Sequence, residues 1–519
     1  MTVHRTSFLV RTALLALVTA STVTSASGQI PAAEYEQRRA TLAGKLSDGV
    51  LIARGASEPV LDYSAFFQSP NFLYLTGYRE PAATLVMTKG GGDVRWTLFV
   101  QKKVPAVEVW SGQRNGAAGA SRLTGIPARH TEELGAFLDS LLARNPKVHI
   151  VADIAESGDT LNKDDDFVRE LKKEHPGATV AGANDLLQQM RAVKSPAELE
   201  LLRKAIAITL EGHREAMRAT EPGMNEFEIQ ALVEYTFRRN GADRPGYASI
   251  VGSGPNGTTL HYNRDDRFMR AGEMMVMDVG ALYGGYSADI TRSFPISGTF
   301  TPEQKSIYRI VREAQAAAER NAKPGKPWKA MSDSASRVIA TGLAELGLIE
   351  AADATFDCGP ANAPRKCPQV GLYYMHGLGH GIGLEVHDPD QYYFTGVIGA
   401  GSAFSIEPGI YVRENLVDVI ADTPANRKLK EKIASTVKRY ANIGVRIEDN
   451  YLVTPEGTEW ASCGLPREID EIEALMKEPN TGPAQRDAPR VEWYRSLATG
   501  AGSGTAAAVV PPAECRPKM

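Results

Sequence analysis

The stretch Met274-Met275-Val276-Met277-Asp278-Val279-Gly280-Ala281-Leu282-Tyr283-Gly284-Gly285-Tyr286-Ser287-Ala288-Asp289-Ile290-Thr291-Arg292-Ser293-Phe294-Pro295 decides how the rest of the chain is read. Met274 to Val279 is an apolar run with the composition of a buried strand, interrupted by one acid, Asp278. After Gly284-Gly285 a second strand carries Asp289 within Ser287-Ala288-Asp289-Ile290-Thr291. A turn near residues 283–285 places Asp278 and Asp289 opposite each other or one register step away. Opposed side chains on one sheet face have Cβ atoms about 4.5–5.5 Å apart. Two carboxylates that close repel strongly unless a proton or a metal neutralises them. The spacing suits carboxylates that bridge two metal ions about 3.5–4 Å apart. Taken alone, the pair also fits a hairpin in which one Asp only caps the turn.

A second cluster lies downstream. In His376-Gly377-Leu378-Gly379-His380-Gly381-Ile382-Gly383-Leu384-Glu385-Val386-His387-Asp388, three of the chain's nine histidines fall within twelve residues. The alternating glycines argue against a helix and for a backbone pressed close to something. No Glu adjoins His376, so a helical HExxH zinc motif is excluded. Two further acids sit in strand-like, apolar surroundings: Glu407 in Phe404-Ser405-Ile406-Glu407-Pro408-Gly409 and Glu448 in Gly444-Val445-Arg446-Ile447-Glu448-Asp449. A glutamate inside such a run is rarely buried without a partner, although each taken singly also fits a salt-bridged or edge-strand acid. Carboxylates with imidazole form a hard, oxygen-rich set suited to Mn²⁺, Co²⁺ or Zn²⁺ rather than a thiolate zinc site.

Around these motifs, the 519 residues suggest more than one domain, with a soluble globular composition of 43% hydrophobic and 23% charged residues. A net charge of −4 offers no field for nucleic acid. At the N-terminus, His4, Arg5 and Arg11 precede the apolar run Ala13–Val18, and small residues follow through Ser25-Ala26-Ser27-Gly28. This pattern predicts a secretory signal peptide over residues 1–28, and hence a secreted or periplasmic protein. The run is too short to remain as a membrane anchor. Residues 29–187 read as a first α/β domain, with strands at Val50–Ala53, Thr84–Met87, Trp96–Val100 and Val148–Val151. Ser195-Pro196 followed by Glu198 reads as a helix start that opens a second domain over 188–475. Beyond it, residues 476–519 shift to Pro, Gly, Ala and charge and read as a flexible tail. Export makes disulfides permissible, and Cys358 and Cys367 bracket a Pro-rich loop that their pairing would close.

The order Asp278, Asp289, His380, Glu407, Glu448, with its neighbours, resembles the pita-bread metallopeptidases, the family of methionine aminopeptidase, aminopeptidase P and prolidase. The likeness covers residues 190–475 and implies an α/β (α+β) chain: an aminopeptidase P-like domain of the creatinase and prolidase type, then a pita-bread catalytic domain. It implies two metal ions, with Asp278 chelating one, Asp289 and Glu448 bridging, and His380 and Glu407 completing the other. Phe67-Gln68, Asn71–Gly77 and Glu108-Val109-Trp110-Ser111-Gly112-Gln113-Arg114 are similar to the N-terminal domain of aminopeptidase P, which methionine aminopeptidases lack. Leu260-His261-Tyr262, His387-Asp388 and Val445–Asp449 are similar to the proline-specific branch.

By resemblance, the substrates are peptides with proline second, cleaved by an Xaa-Pro aminopeptidase. The same resemblance implies that His261 and His387 would contact the substrate or the tetrahedral intermediate, that His376 would line the pocket and that Arg446 would support the metal carboxylates, while Glu407, within reach of a metal-activated water, is the candidate proton shuttle. Trp110 is a candidate wall of a site shared between subunits of a homo-oligomer, a dimer or tetramer. Prolidase, restricted to dipeptides, is the rival enzyme; a metal-free pita-bread binding module is the rival outside catalysis. Two stretches depart from the family pattern: the Cys358–Cys367 loop, and residues 426–440, which read as an additional basic amphipathic helix, either a solvated insertion or a wall of the substrate entrance.

Overall fold

A computed structural model of the protein describes residues 30–480, apart from 60–63, 144–146, 152–162, 360–362, 364 and 390–395. The expected signal peptide and residues 481–519 of the expected tail lie outside the described residues. Among the described residues, no helix is long and apolar enough to cross a membrane.

The first part of the chain builds one mixed sheet of six strands. Their order across the sheet is Ala128–His130, Asp93–Val100, Thr84–Gly90, Gly49–Arg54, Lys147–Val151, Thr179–Gly182. The central strand Gly49–Arg54 reads as a continuous apolar run because both its faces are covered, and Leu51, Ile52 and Ala53 are fully buried. The four strands expected from the sequence are all present. Between the strands Ala128–His130 and Lys147–Val151, a short 3-10 turn, Thr131–Glu133, leads into an α-helix, Leu134–Leu142.

Long helices open the second part where capping chemistry predicts them. The Ser195 hydroxyl oxygen accepts from the Glu198 amide and the Ser195 N–H donates in return to Glu198 Oε2, starting the helix Pro196–Ala219. Asn225 and Thr301 do the same for Glu226–Arg239 and Pro302–Glu319. These helices, with Trp328–Glu345, pack on three small antiparallel units. The first orders its strands Ile290–Pro295, Met274–Val279, Ile250–Ser253; the second orders Ala403–Ile406, Asp449–Thr454, Gly457–Trp460; the third pairs Gly409–Val412 with Ile443–Arg446. Methionines of the Asp-bearing strand (Met274, Met275, Met277) lie in the core with Phe294, Ile307 and Phe404.

The Asp ribbon turns at Gly284 and Gly285, both with positive φ (61° and 92°), as glycine permits. It is not a plain hairpin. A Cβ on Gly280 would stand 1.9 Å from the Ala288 carbonyl oxygen, so the strands cross tightly there and the tip, Ala281–Tyr283 with Tyr286–Ser287, joins a separate sheet beside Arg244–Pro245.

The basic amphipathic helix expected over 426–440 is present as Pro424–Tyr440, and it is docked rather than merely solvated. Its Leu429, Ile433, Val437 and Tyr440 are buried in the main core while its basic residues lie outward. Cys358 and Cys367 are joined in a disulfide, and the small hairpin they close docks on the start of this helix. There Asn426 Nδ2 donates to the Asp357 carbonyl at 2.9 Å and the Thr423 hydroxyl to Asp357 Oδ2 at 2.6 Å.

Candidate metal centre

Asp278 pairs with Thr291 across the ribbon, so Asp289, two residues before Thr291, is the diagonal neighbour of Asp278 on the same face rather than its direct opposite. Asp289 lies at the break just before Ile290, where Asn450 holds its backbone from both sides: Asn450 Oδ1 accepts from its N–H at 3.1 Å and Nδ2 donates to its carbonyl at 2.5 Å. Glu407 follows the strand Ala403–Ile406, and Glu448 precedes Asp449–Thr454. Behind Glu448, buried Arg292 donates to the Glu448 carbonyl at 2.7 Å and to Asp449 Oδ1 at 2.7 Å.

The glycines of the histidine segment answer a packing demand. A Cβ on Gly379 would lie 2.3 Å from the Ser405 carbonyl, and one on Gly383 2.3 Å from Asp388 Oδ2. This close approach carries His380 onto the carboxylates, with Nε2 3.3 Å from Asp289 Oδ2 and 3.4 Å from Glu407 Oε1. One ligand atom from each of Asp289, His380 and Glu448 falls within 4.8 Å of the others, and all three residues are buried. Arg446 places Nη1 3.0 Å from Asp278 Oδ2 and 3.9 Å from Glu407 Oε2. His376 stands 3.7 Å from Glu407 Oε2 and bonds the Tyr411 hydroxyl at 2.8 Å. His387 is exposed, yet its ring centroid lies 3.8 Å from that of His380. His261 is exposed on a loop, and Trp110 is 74% exposed on the short helix Pro105–Ser111.

Sequence reasoning missed one residue at the heart of the site. The Tyr247 hydroxyl lies 2.5 Å from Asp278 Oδ1 and 2.6 Å from Asp289 Oδ1, linking the two aspartates. Thr291 was also missed; it donates to Glu448 Oε2 at 2.7 Å.

Crowding sets the protonation of the cluster. Burial, reinforced by the charge of Asp278, pushes Asp289 up to about 6. Asp278 goes the other way: burial opposes its ionisation, but Arg446 and the Tyr247 hydroxyl outweigh it and hold the carboxyl below the usual range. Glu448 is pushed well up by burial and by Asp289 and Glu407. Burial disfavours the His380 imidazolium, yet Asp289 and Glu407 hold it up at about 9. Burial pushes His376 down to about 4. A cation fits this set: the carboxylates mutually repel, and Glu448 Oε1 is buried with no hydrogen-bond partner, an orphaned acceptor of the kind a bound ion satisfies.

A buried group of four carboxylates and an imidazole, carried on and at the ends of paired strands with the histidine from the glycine-rich segment, defines a metallohydrolase-type centre. Residues 200–455 match metallopeptidase family M24 and residues 35–151 the aminopeptidase P N-terminal domain. The Xaa-Pro aminopeptidase of Haemophilus influenzae is 32% identical over 455 residues, covering 86% of this chain and 98% of that protein. The Escherichia coli Xaa-Pro aminopeptidase is 30% identical, with the same shares covered. Among solved structures, Escherichia coli aminopeptidase P with the inhibitor Pro-Leu superposes with a TM-score of 0.73 at 30% identity, over 86% of this chain and 99% of that one. The Pseudomonas aeruginosa aminopeptidase gives 0.71 at 32% identity, over 86% and 98%. The chain belongs to metallopeptidase family M24, in its aminopeptidase P branch.

Proposed function

We propose that this protein is an exported Xaa-Pro aminopeptidase that hydrolyses the bond between an N-terminal residue and a following proline with two divalent ions, manganese first among them. The observation that carries the reading is the convergence of Asp289, His380 and Glu448 ligand atoms within 4.8 Å, beside Asp278 and Glu407, in a chain alike to Xaa-Pro aminopeptidases over 86% of its length. Asp278 would hold one ion, His380 and Glu407 the other, and Asp289 and Glu448 both. When bound, such ions supply hydroxide near neutral pH and polarise the scissile carbonyl.

The chain's own groups do the rest. Glu407 takes the nucleophile's proton on a carboxylate oxygen and delivers it to the departing prolyl nitrogen. Arg446 and Tyr247 orient Asp278 and Asp289. His387 and His261, both exposed, contact substrate, and His376 lines the pocket. The proline ring brings no N–H to its peptide bond, so the pocket has to accept the ring without calling on that donor. In a homo-oligomer the exposed Trp110 would wall a neighbouring site. Basic and apolar patterning over residues 1–28 supports export.

The test is a panel of Xaa-Pro, Xaa-Pro-Xaa and longer proline-second peptides against enzyme reconstituted with manganese, cobalt or zinc, with the bound metal quantified. Release of the first residue from peptides longer than two residues is expected. Cleavage confined to dipeptides would make the protein a prolidase, and a chain that binds no metal would make it a binding module.

A further inference from the structure

Arg191 lies at the end of the helix Asn184–Arg191, just before the catalytic helices, and its side chain is 1% exposed. A guanidinium buried so completely needs every donor used, and this one reaches across the chain. Nη1 donates to Asn71 Oδ1 in the first domain at 2.8 Å. Nε donates to Asp388 Oδ1 at 2.9 Å and Nη2 to Glu385 Oε2 at 2.5 Å, both in the histidine segment. The other oxygen of Asp388 accepts from the Leu384 amide at 2.7 Å, and Lys194 Nζ donates to the Asp388 carbonyl at 2.5 Å. Residues 384–388 are therefore tied through Glu385 and Asp388, and His387 lies between these two tied residues. Its ring rests against that of His380, while Gly383 leaves no room for a Cβ beside Asp388.

We propose that Arg191 is a positioning residue: by clamping Asp388 and Glu385 while bonded to Asn71, it holds His387 against His380 and makes the placement of that imidazole depend on the docked first domain. The proposal rests on the peptidase reading for its kinetic consequence but not for its structural one. Asp388 is the axis of the clamp and Glu385 its outer arm. Asn71 is where the first domain enters.

The variants are Arg191→Lys, Asp388→Asn, Glu385→Gln and Asn71→Ala. The histidine side-chain NMR resonances of each full-length, metal-free protein are recorded, with His387 assigned by His387→Gln. Kinetics and metal content follow at a temperature where each variant is folded. Misplacing a reacting group by about 1 Å can cost about 100-fold. Accordingly, kcat is expected to fall about tenfold or more in Arg191→Lys and Asp388→Asn, with KM and metal content near wild type and the His387 resonance moved or broadened. Glu385→Gln, whose side chain is 27% exposed, keeps the fold safe and should show a smaller change in the same direction. Arg191→Lys and Glu385→Gln that fold with an unmoved His387 resonance and wild-type kcat overturn the proposal. Rate loss that only tracks metal loss overturns it too, because the clamp would then act on the ligands. If the wild-type enzyme cleaves no proline-second peptide, the peptidase reading fails while the resonance comparison still judges the clamp.

Discussion

Arg446 Nη1 stands 3.0 Å from Asp278 Oδ2, and both side chains are buried. That contact keeps Asp278 charged while its diagonal neighbour Asp289 is pushed up to about 6. The two strand aspartates thus share one face but differ in how readily they ionise, and the guanidinium favours the charge on Asp278. Removing one partner of a buried pair leaves an uncompensated charge and costs about 3–5 kcal/mol. Arg446→Ala should therefore lower the stability of the metal-free protein by an amount of that order. Metal affinity should fall about 10–100-fold, as for other groups that orient metal ligands. Denaturant unfolding and metal titration measure both; unchanged affinity would separate Arg446 from the site.

The same pKa pattern predicts how metal uptake depends on pH. His380 is held up at about 9, and it must shed its proton before Nε2 can bind an ion. Glu448 is pushed toward its protonated form, and Asp289 is protonated toward acid pH, when no metal is bound. Uptake near neutral pH should release protons, read by calorimetry in two buffers of different ionisation enthalpy. The linkage sign is definite. All three groups have folded pKa values raised above their unfolded ones, so the stability they lend the metal-free protein is present in acid. It is lost as pH rises through about 6 for Asp289 and about 9 for His380. The gain in Tm on adding manganese should accordingly grow from about pH 5 to about pH 9. A gain that shrinks over that range would contradict the assigned ligands.

The disulfide-closed hairpin predicts a local effect. Cys358 and Cys367 are nine residues apart, and closing so short a loop is worth about 2–3 kcal/mol in the chain-entropy picture. In Cys358→Ser/Cys367→Ser, stability should drop by no more than that. Amide exchange should quicken around Thr423 and Asn426, which bond the hairpin's Asp357. The rate of peptide cleavage should stay unchanged. Exchange that quickens instead in the Asp278 ribbon would show that the hairpin supports the site itself.

What could be read from the sequence follows local rules. Asp278 and Asp289 stood out because an acid in a buried strand run is costly unless something neutralises it. Ser195 marked a helix start because a capping box is complete within four residues. The diagonal offset of the aspartates could not be read, since it depends on the tight crossing of Gly280 and Ala288. Nor could the docking of Leu429 and Ile433, because an amphipathic pattern shows a face but not what covers it. Arg191, Tyr247 and Thr291 carry no motif. Their partners are 31 to 197 residues away, and only the assembled strands and domains bring them together.

Tyr247 offers the sharpest test of the assembled site. Its hydroxyl can donate its one proton to only one aspartate at a time, yet it lies within 2.6 Å of an oxygen of each. Burial and the two carboxylates push its own pKa far up, so it stays a neutral donor. In Tyr247→Phe the oxygens of buried Asp278 and Asp289 lose that partner. Leaving a buried acceptor unsatisfied costs about 1–3 kcal/mol, and the metal-free protein should bear that loss in full. With ions bound, the carboxylate charge is met by metal, and the loss should be smaller. The thermodynamic cycle then requires that Tyr247→Phe bind metal more tightly than wild type even as its metal-free form unfolds more readily. Thermal unfolding with and without manganese, together with a direct metal titration, closes the cycle. Equal destabilisation of both forms would show that Tyr247 serves the fold alone, and weaker metal binding would show that its hydroxyl acts on the occupied site.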